Sequence, residues 1–180
     1  MRIEVIKFPT DYEIKVVLMG MGLSYDPNLD ILEVERKQAH FEKVARELVK
    51  KGGSHSKFLR MLHYQFDLTA PLYLWKHLDQ YKVGSTTLST STVHSIKKYR
   101  PLKKEHFEII DDRILDLLNN IEDDLTLSKI LPLSFLQRRL FDLNAQQILN
   151  IIHQRKGHKF KEWEILVDYM YSILPSFARQ

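Results

Sequence analysis

Between Leu62 and Tyr81 the hydrophobic period changes from two to about 3.6, and that switch limits the folds open to the chain. Leu62, Tyr64, Phe66 and Leu68 alternate with His63, Gln65 and Asp67, the pattern of a strand with one apolar and one polar face. Thr69 then marks a plausible N-cap region. Pro71 suits the first turn of a helix, where its missing N–H is not needed. Leu74, Leu78 and Tyr81 fall on one helical stripe from there. A strand that runs into a helix, among few strands that lack regular βαβ alternation, predicts an α+β fold.

The rest of the chain is read by the same rules. Arg2 to Phe8 predicts a short strand, and Glu13 to Met19 a second one ended by Gly20 and Gly22. Asp26, Pro27 and Asn28 mark a turn. Ile31 to Lys51 predicts one helix, with Phe41, Val44, Ala45, Leu48 and Val49 on a face and Gly52-Gly53 as its stop. Val83 to Thr92, with Gly84 and seven Ser or Thr, reads as a loop, and Tyr99 to Lys104 as a basic linker. Phe107 to Ile121 predicts an amphipathic helix, Leu125 to Leu131 a short helix or turn, and Ser134 to Leu143 either strand or helix. Asn144 caps a helix carrying Ile148, Ile151 and Ile152, and Trp163 to Leu174 forms the last one. No repeat divides the 180 residues, which read as one domain, 1–180.

Composition narrows the chemistry. There is no Cys, which excludes disulfides, thiolate zinc sites and thiol nucleophiles. His55 and His63 are eight apart and His153 and His158 five apart, and neither pair has a carboxylate at ligand spacing, so no metal is expected. A net charge of +4 suits phosphate-bearing ligands without specifying one. The first residues interleave charge with apolar side chains, unlike a signal peptide, and no run approaches the length of a membrane span, so a cytoplasmic protein is expected. Ser85, Ser89 and Ser91 are ordinary turn residues on composition alone. Arg138, Arg139 and Arg155 flank apolar positions and read either as snorkelling surface cations or as planar forks for a phosphate or pyrimidine edge.

Two segments carry a resemblance that decides among these readings. FDLTAPLYLWKHLDQYK resembles the strand–helix segment of flavin-dependent thymidylate synthases, in which an Ala-Pro-started helix ends in Arg-His-Arg. LPLSFLQRRLFDLNAQQILNIIHQR, Leu131 to Arg155, is similar to the family's Leu-Pro … Asn-Ala-Arg … Asn … Leu-Arg segment. With GGSHSKF before the strand and the Trp-Glu-Ile at Trp163, the likeness spans roughly Lys50 to Ile165.

The resemblance implies a small twisted sheet flanked by helices, of the thymidylate-synthase-complementing-protein kind. It implies a homotetramer with FAD, and methylation of a pyrimidine nucleotide such as dUMP, with methylenetetrahydrofolate and NADPH as co-substrates. No membrane or nucleic acid partner is implied. Carried over by position, Asn144, Gln146, Asn150 and His55 lie where the family holds its flavin. Gln80, Tyr81 and Lys82 stand at the Arg-His-Arg triplet, also a flavin contact. His77, Ser85, Ser89, Ser91 and His94 fall in the nucleotide-binding segment. Arg155 matches the arginine that stabilises the ionised pyrimidine, and Arg155 and Ser91 are the catalytic candidates.

The departures are specific. Lys82 keeps one charge of the triplet but not the bidentate fork, and Gln80 keeps donors without charge. The loop's Asn-Glu reads Leu88-Ser89, its Arg reads Val93, and Gln146 stands for the arginine of Asn-Ala-Arg. Each lost charge-assisted bond costs about 1.5–3 kcal/mol. Lys76, Arg138 and Arg139 are the nearby cations that compensation would use. The alternatives that remain are a nucleotide- or flavin-binding protein with altered chemistry, and a pyrimidine nucleotide hydroxymethylase-like relative.

Overall fold

The computed structural model describes residues 1–179. Among these residues four strands, β1 (Arg2–Lys7), β2 (His63–Pro71), β3 (Thr86–Ser89) and β4 (Leu136–Asn144), pair in the order β1-β2-β4-β3. The described residues also form nine α-helices: α1 (Asp11–Gly22), α2 (Ile31–Arg36), α3 (Gln38–Lys51), α4 (Leu72–Leu78), α5 (Thr92–Ser95), α6 (Asp112–Asn119), α7 (Asp124–Ile130), α8 (Ala145–Arg155) and α9 (Lys161–Ile173). The α+β reading therefore holds. Among the described residues no helix is long and apolar enough to cross a membrane.

The chain forms two compact units. The first comprises Met1–Glu4 and Phe66–Phe141. Its interior is built on Ile96, Leu102, Phe107, Leu118, Leu127 and Phe135, all buried, with Tyr99 set edge-on to Phe135 at 5.5 Å. A second aromatic group pairs Phe66 with Phe141, stacked at 4.9 Å, and sets Trp75 edge-on to Phe141 at 5.7 Å. The Trp75 indole N–H donates to the Gln137 carbonyl at 2.9 Å, so this ring is both buried and satisfied. Arg138 on β4 grips the carboxylate of Asp67 on β2 with both its Nε and Nη2. The polar face expected of β2 is thus partly closed, and Asp67 is buried.

The second unit comprises Val5–Gln65 and the chain from Asp142 onward. Here α1 packs on α2, α3 and a 3-10 helix, Gly53–Met61, and α8 packs on that same 3-10 helix and on α9. Val17, Leu18, Ala45, Leu59, Leu62, Ile148, Ile151, Trp163 and Met170 fill its interior.

Five local expectations are corrected. Glu13 to Met19 is not a strand but part of α1. Thr10 and Glu13 close a reciprocal cap, the Glu13 N–H donating to Thr10 Oγ1 at 3.2 Å and the Thr10 N–H to Glu13 Oε2 at 2.7 Å. That cap starts a helix which buries Val17, Leu18 and Met21 together. The single helix over Ile31 to Lys51 breaks at Lys37, whose φ of −117° and ψ of 27° are not helical. Pro71 ends β2 and caps α4 rather than sitting inside its first turn. The Ser/Thr loop contains β3, an exposed edge strand. The helix over Phe107 to Ile121 shrinks to α6, because Asp111 caps it and Phe107 instead bridges Phe135.

One pH dependence follows from this frame. The Arg138 guanidinium, first by hydrogen bonding and then by its charge, holds the Asp67 carboxyl below the usual carboxylate range. A depressed folded pKa adds stability above the unfolded value of about 4, and the contribution is lost as pH falls through the folded pKa. Urea midpoints of the wild type and Asp67→Asn should therefore differ at pH 7 and converge on acidification. A gap that widened toward low pH would contradict the assignment.

Candidate functional site

In the first unit the candidate residues follow α4. The helix ends at Leu78, and the Asp79 and Tyr81 N–H groups donate to the Trp75 and Leu78 carbonyls at 2.8 and 2.9 Å. Gln80, Tyr81 and Lys82 therefore lie in the turn beyond the helix, with Gln80 and Lys82 exposed and Tyr81 half-buried. His77, half-buried, sits in the last turn of α4 beside exposed Lys76. Gly84 takes a φ of 77°, a left-handed conformation that glycine adopts without strain, and turns the chain into β3.

The loop serines have structural tasks of their own. Ser85 donates its hydroxyl to the Tyr81 carbonyl at 2.7 Å, which ties the loop to the turn at Gln80-Tyr81-Lys82. Ser91 caps α5: its Oγ accepts the His94 N–H at 3.3 Å, and its carbonyl accepts the Ser95 hydroxyl at 2.6 Å. Ser89 is exposed on β3, and His94 is exposed on α5. Beyond β3, the Thr90 N–H donates to the Arg138 carbonyl at 3.0 Å, and Gln137 Nε2 donates to the Thr90 carbonyl at 2.7 Å.

Both arginines of β4 are committed to internal carboxylates. Arg138 is held by Asp67. Arg139 lies over the Trp75 ring at 4.5 Å, and donates to Asp79 Oδ1 at 3.0 Å and to Gln137 Oε1 at 2.9 Å. Neither offers an unneutralised fork of the kind the sequence reading asked of them.

In the second unit the candidates gather on α8 and the 3-10 helix. Asn144 is the N-cap of α8: its Oδ1 accepts the Gln147 N–H at 3.0 Å, while the Asn144 N–H donates to Gln147 Oε1 at 2.9 Å. This buried reciprocal cap fixes where the following turn points. Two residues after the cap, Gln146 Nε2 donates to Asn150 Oδ1 at 3.3 Å, and Gln146 Oε1 accepts the Ser56 hydroxyl at 2.6 Å. So Gln146, Asn150 and Ser56, the neighbour of His55, form one hydrogen-bonded group, while the Asn144 side chain pairs with Gln147.

Arg155 points elsewhere. At about 100° per residue it lies roughly 140° around α8 from Asn150. Gly157, with a φ of 76°, reverses the chain after α8, and Arg155 sits over the buried Trp163 ring of α9 at 4.9 Å. The structure thus brings Gln146 and Asn150 of α8 together beside Ser56, and puts Arg155 on a different face of the helix from Asn150.

Sequence reasoning missed two features. His63 Nδ1 is 2.7 Å from Asp142 Oδ1, across neighbouring strands. Seventy-nine residues separate them, and no local pattern links them. The second is a cleft of about 600 Å³ bordered by the 3-10 helix, the end of α1 and Leu48 of α3, with His55, Lys57 and Arg60 in its lining. Its signal was present in the sequence as a period of three. Ser56, Leu59 and Leu62 recur every third residue and are buried, so Ser54, Lys57 and Arg60 must share another edge.

No protein-family model and no curated protein matches the sequence. Solved structures do match. The flavin-dependent thymidylate synthase ThyX of Helicobacter pylori, in complex with FAD and dUMP, superposes with a TM-score of 0.73 over 100% of this chain and 98% of its own, at 16% identity. The fold is that of flavin-dependent thymidylate synthases. A second Helicobacter pylori ThyX structure with FAD and dUMP gives 0.73 at 15% identity, covering 99% and 96% of the two chains. The UMP/dUMP methylase PolB of Streptomyces cacaoi, bound with 5-bromo-dUMP, shares the thymidylate synthase fold with a TM-score of 0.62 at 12% identity, over 95% and 88%. Flavin-dependent thymidylate synthases and this chain thus have one architecture from end to end, with sequences that have largely diverged.

Proposed function

We propose that this chain is a flavin-dependent enzyme of the thymidylate synthase type, which binds a pyrimidine nucleotide such as dUMP and methylates it. The observation that carries the reading is the full-length correspondence of fold with structures that hold FAD and dUMP. The segment Asn144 to Arg155 supports it with asparagine, asparagine and arginine in the family's order. Neutral amides at Asn144, Gln146 and Asn150 suit the pyrimidine-like edge of a flavin ring, which alternates carbonyls with nitrogen donors and acceptors. FAD would supply a hydride, with NADPH and methylenetetrahydrofolate as co-substrates. The protein's part is to orient the reactants and to polarise the base through Arg155. Ser91, His77, Ser85, Ser89 and His94 belong to the nucleotide side of this reading, and a homotetramer is part of it.

A second reading is favoured by the β4 arginines. Because Asp67 and Asp79 neutralise Arg138 and Arg139, they do not replace the cations lost at Gln80 and Gln146. That supports a protein which binds nucleotide or flavin with changed chemistry, a hydroxymethylase-like relative included.

Titration of the purified protein with FAD, followed by visible absorbance, separates the readings. The enzyme reading expects FAD binding, a melting shift with dUMP and reductant-dependent turnover. Nucleotide-induced stabilisation without flavin binding rejects it in favour of the second. Arg155→Ala should weaken dUMP roughly 10- to 100-fold, the loss of one charge-assisted contact. Unchanged affinity would remove Arg155 from the site.

A further inference from the structure

The 3-10 helix Gly53–Met61 runs for nine residues, and its threefold period sorts them onto three edges. Ser56 and Leu59 face inward and are buried, as is Leu62 just beyond. Ser54, Lys57 and Arg60 form the second edge, and His55, Phe58 and Met61 the third. Gly52 and Gly53, with φ of 65° and 57°, make the turn from α3 that aims these two edges at the end of α1. The resulting cleft of about 600 Å³ is the size of a cofactor site. Phe58 and Met21, both buried, give it an apolar floor, and the exposed Met61 and Tyr25 line it as well.

Its charge is one-sided. No Asp or Glu lines the cleft, whereas His55, Lys57 and Arg60 all do. Among the described residues neither Lys57 nor Arg60 has an ion pair, although Lys15, Lys37, Lys50, Arg100, Arg138 and Arg139 do. Two uncompensated cations three residues apart on one edge, over an apolar floor, are matched by a phosphate ester with a flat or apolar body.

We propose that this cleft takes the phosphate of an anionic ligand, with Lys57 and Arg60 as its anchor and the ligand's apolar part against Phe58 and Met61. The inference rests on the proposed function only for which phosphate it is: the diphosphate of FAD or the 5′-phosphate of the nucleotide. The chain's cationic grip has then moved from the turn at Gln80-Tyr81-Lys82, which has lost its arginines, to the 3-10 helix.

The test uses the full chain, as wild type, as the double variant Lys57→Gln/Arg60→Gln and as Lys82→Gln. Each is titrated with FAD, dUMP and inorganic pyrophosphate at low and high salt. Lys57 and Arg60 are exposed, so the ligand-free melting temperature of the double variant should match the wild type. The expected result is at least a tenfold loss of affinity for one of the phosphate probes in the double variant, together with a weaker salt dependence. A loss for FAD names the diphosphate, and a loss for dUMP alone names the nucleotide. If the wild type binds FAD and only Lys82→Gln weakens it, the inference is overturned while the flavin reading stands. If the wild type binds pyrophosphate or dUMP through Lys57 and Arg60 but not FAD, the inference stands and the flavin reading fails. Binding of no probe to the wild type overturns both.

Discussion

Replacing Trp75 by Ala is expected to destabilise the protein by about 3–5 kcal/mol, the usual cost of truncating a buried aromatic. Three losses combine. The indole is 1% exposed, so its removal opens a cavity between α4 and β4. The Gln137 carbonyl loses the donor it now has at 2.9 Å, and a buried acceptor left unpaired costs about 1–3 kcal/mol by itself. Arg139 loses the ring beneath it, and its bond to Asp79 loses that support. Trp75→Phe keeps an aromatic body without the N–H and should cost clearly less. Urea or guanidinium midpoints at pH 7 measure both. A loss below about 1 kcal/mol for Trp75→Ala would mean that the ring contributes little to the packing around Phe141.

The interior of this protein was more legible in its sequence than the ends of its elements. Alternation over Leu62 to Leu68 located β2, because a half-buried strand buries every second side chain. The same rule misplaced Glu13 to Met19. Val16 and Val17 are β-branched and suggest a strand, but Thr10 and Glu13 spell a helix cap three residues apart, and the cap prevailed. β3 was invisible for another reason: all four of its residues are exposed, so no hydrophobic pattern marks it. It exists because β4 offers an edge to pair with, a partner some fifty residues away.

For the candidate site, the sequence told where chemistry could lie but not what each group already does. Ser91 and Ser85 look alike in the loop, yet one caps α5 and the other holds the Tyr81 carbonyl. Arg138 and Arg139 look like spare cations until Asp67 and Asp79 are seen beside them. Ion pairing between distant segments has no local signature, and it decides which cations remain to meet a ligand. Lys57 and Arg60 gain their interest from that subtraction.

Trp163 supplies a test of whether Arg155 acts through its platform. The ring is buried, Arg155 lies over it at 4.9 Å, and the reversal at Gly157 brings the two together. Trp163→Ala should cost about 3–5 kcal/mol of stability. A gentler pair of variants is more informative about function. Trp163→Phe leaves a π face under the guanidinium and Trp163→Leu removes it, while both reduce packing. A cation–π contact contributes about 0.5–2 kcal/mol, so Trp163→Leu should weaken dUMP binding roughly 2- to 30-fold beyond Trp163→Phe. The comparison is made at a temperature where both variants are folded. Combining Trp163→Leu with Arg155→Ala closes the cycle. If the ring acts by holding the arginine, the double variant binds no worse than Arg155→Ala alone, because there is nothing left to position. If the two effects add, Trp163 serves only the fold, and Arg155 finds its orientation from other partners.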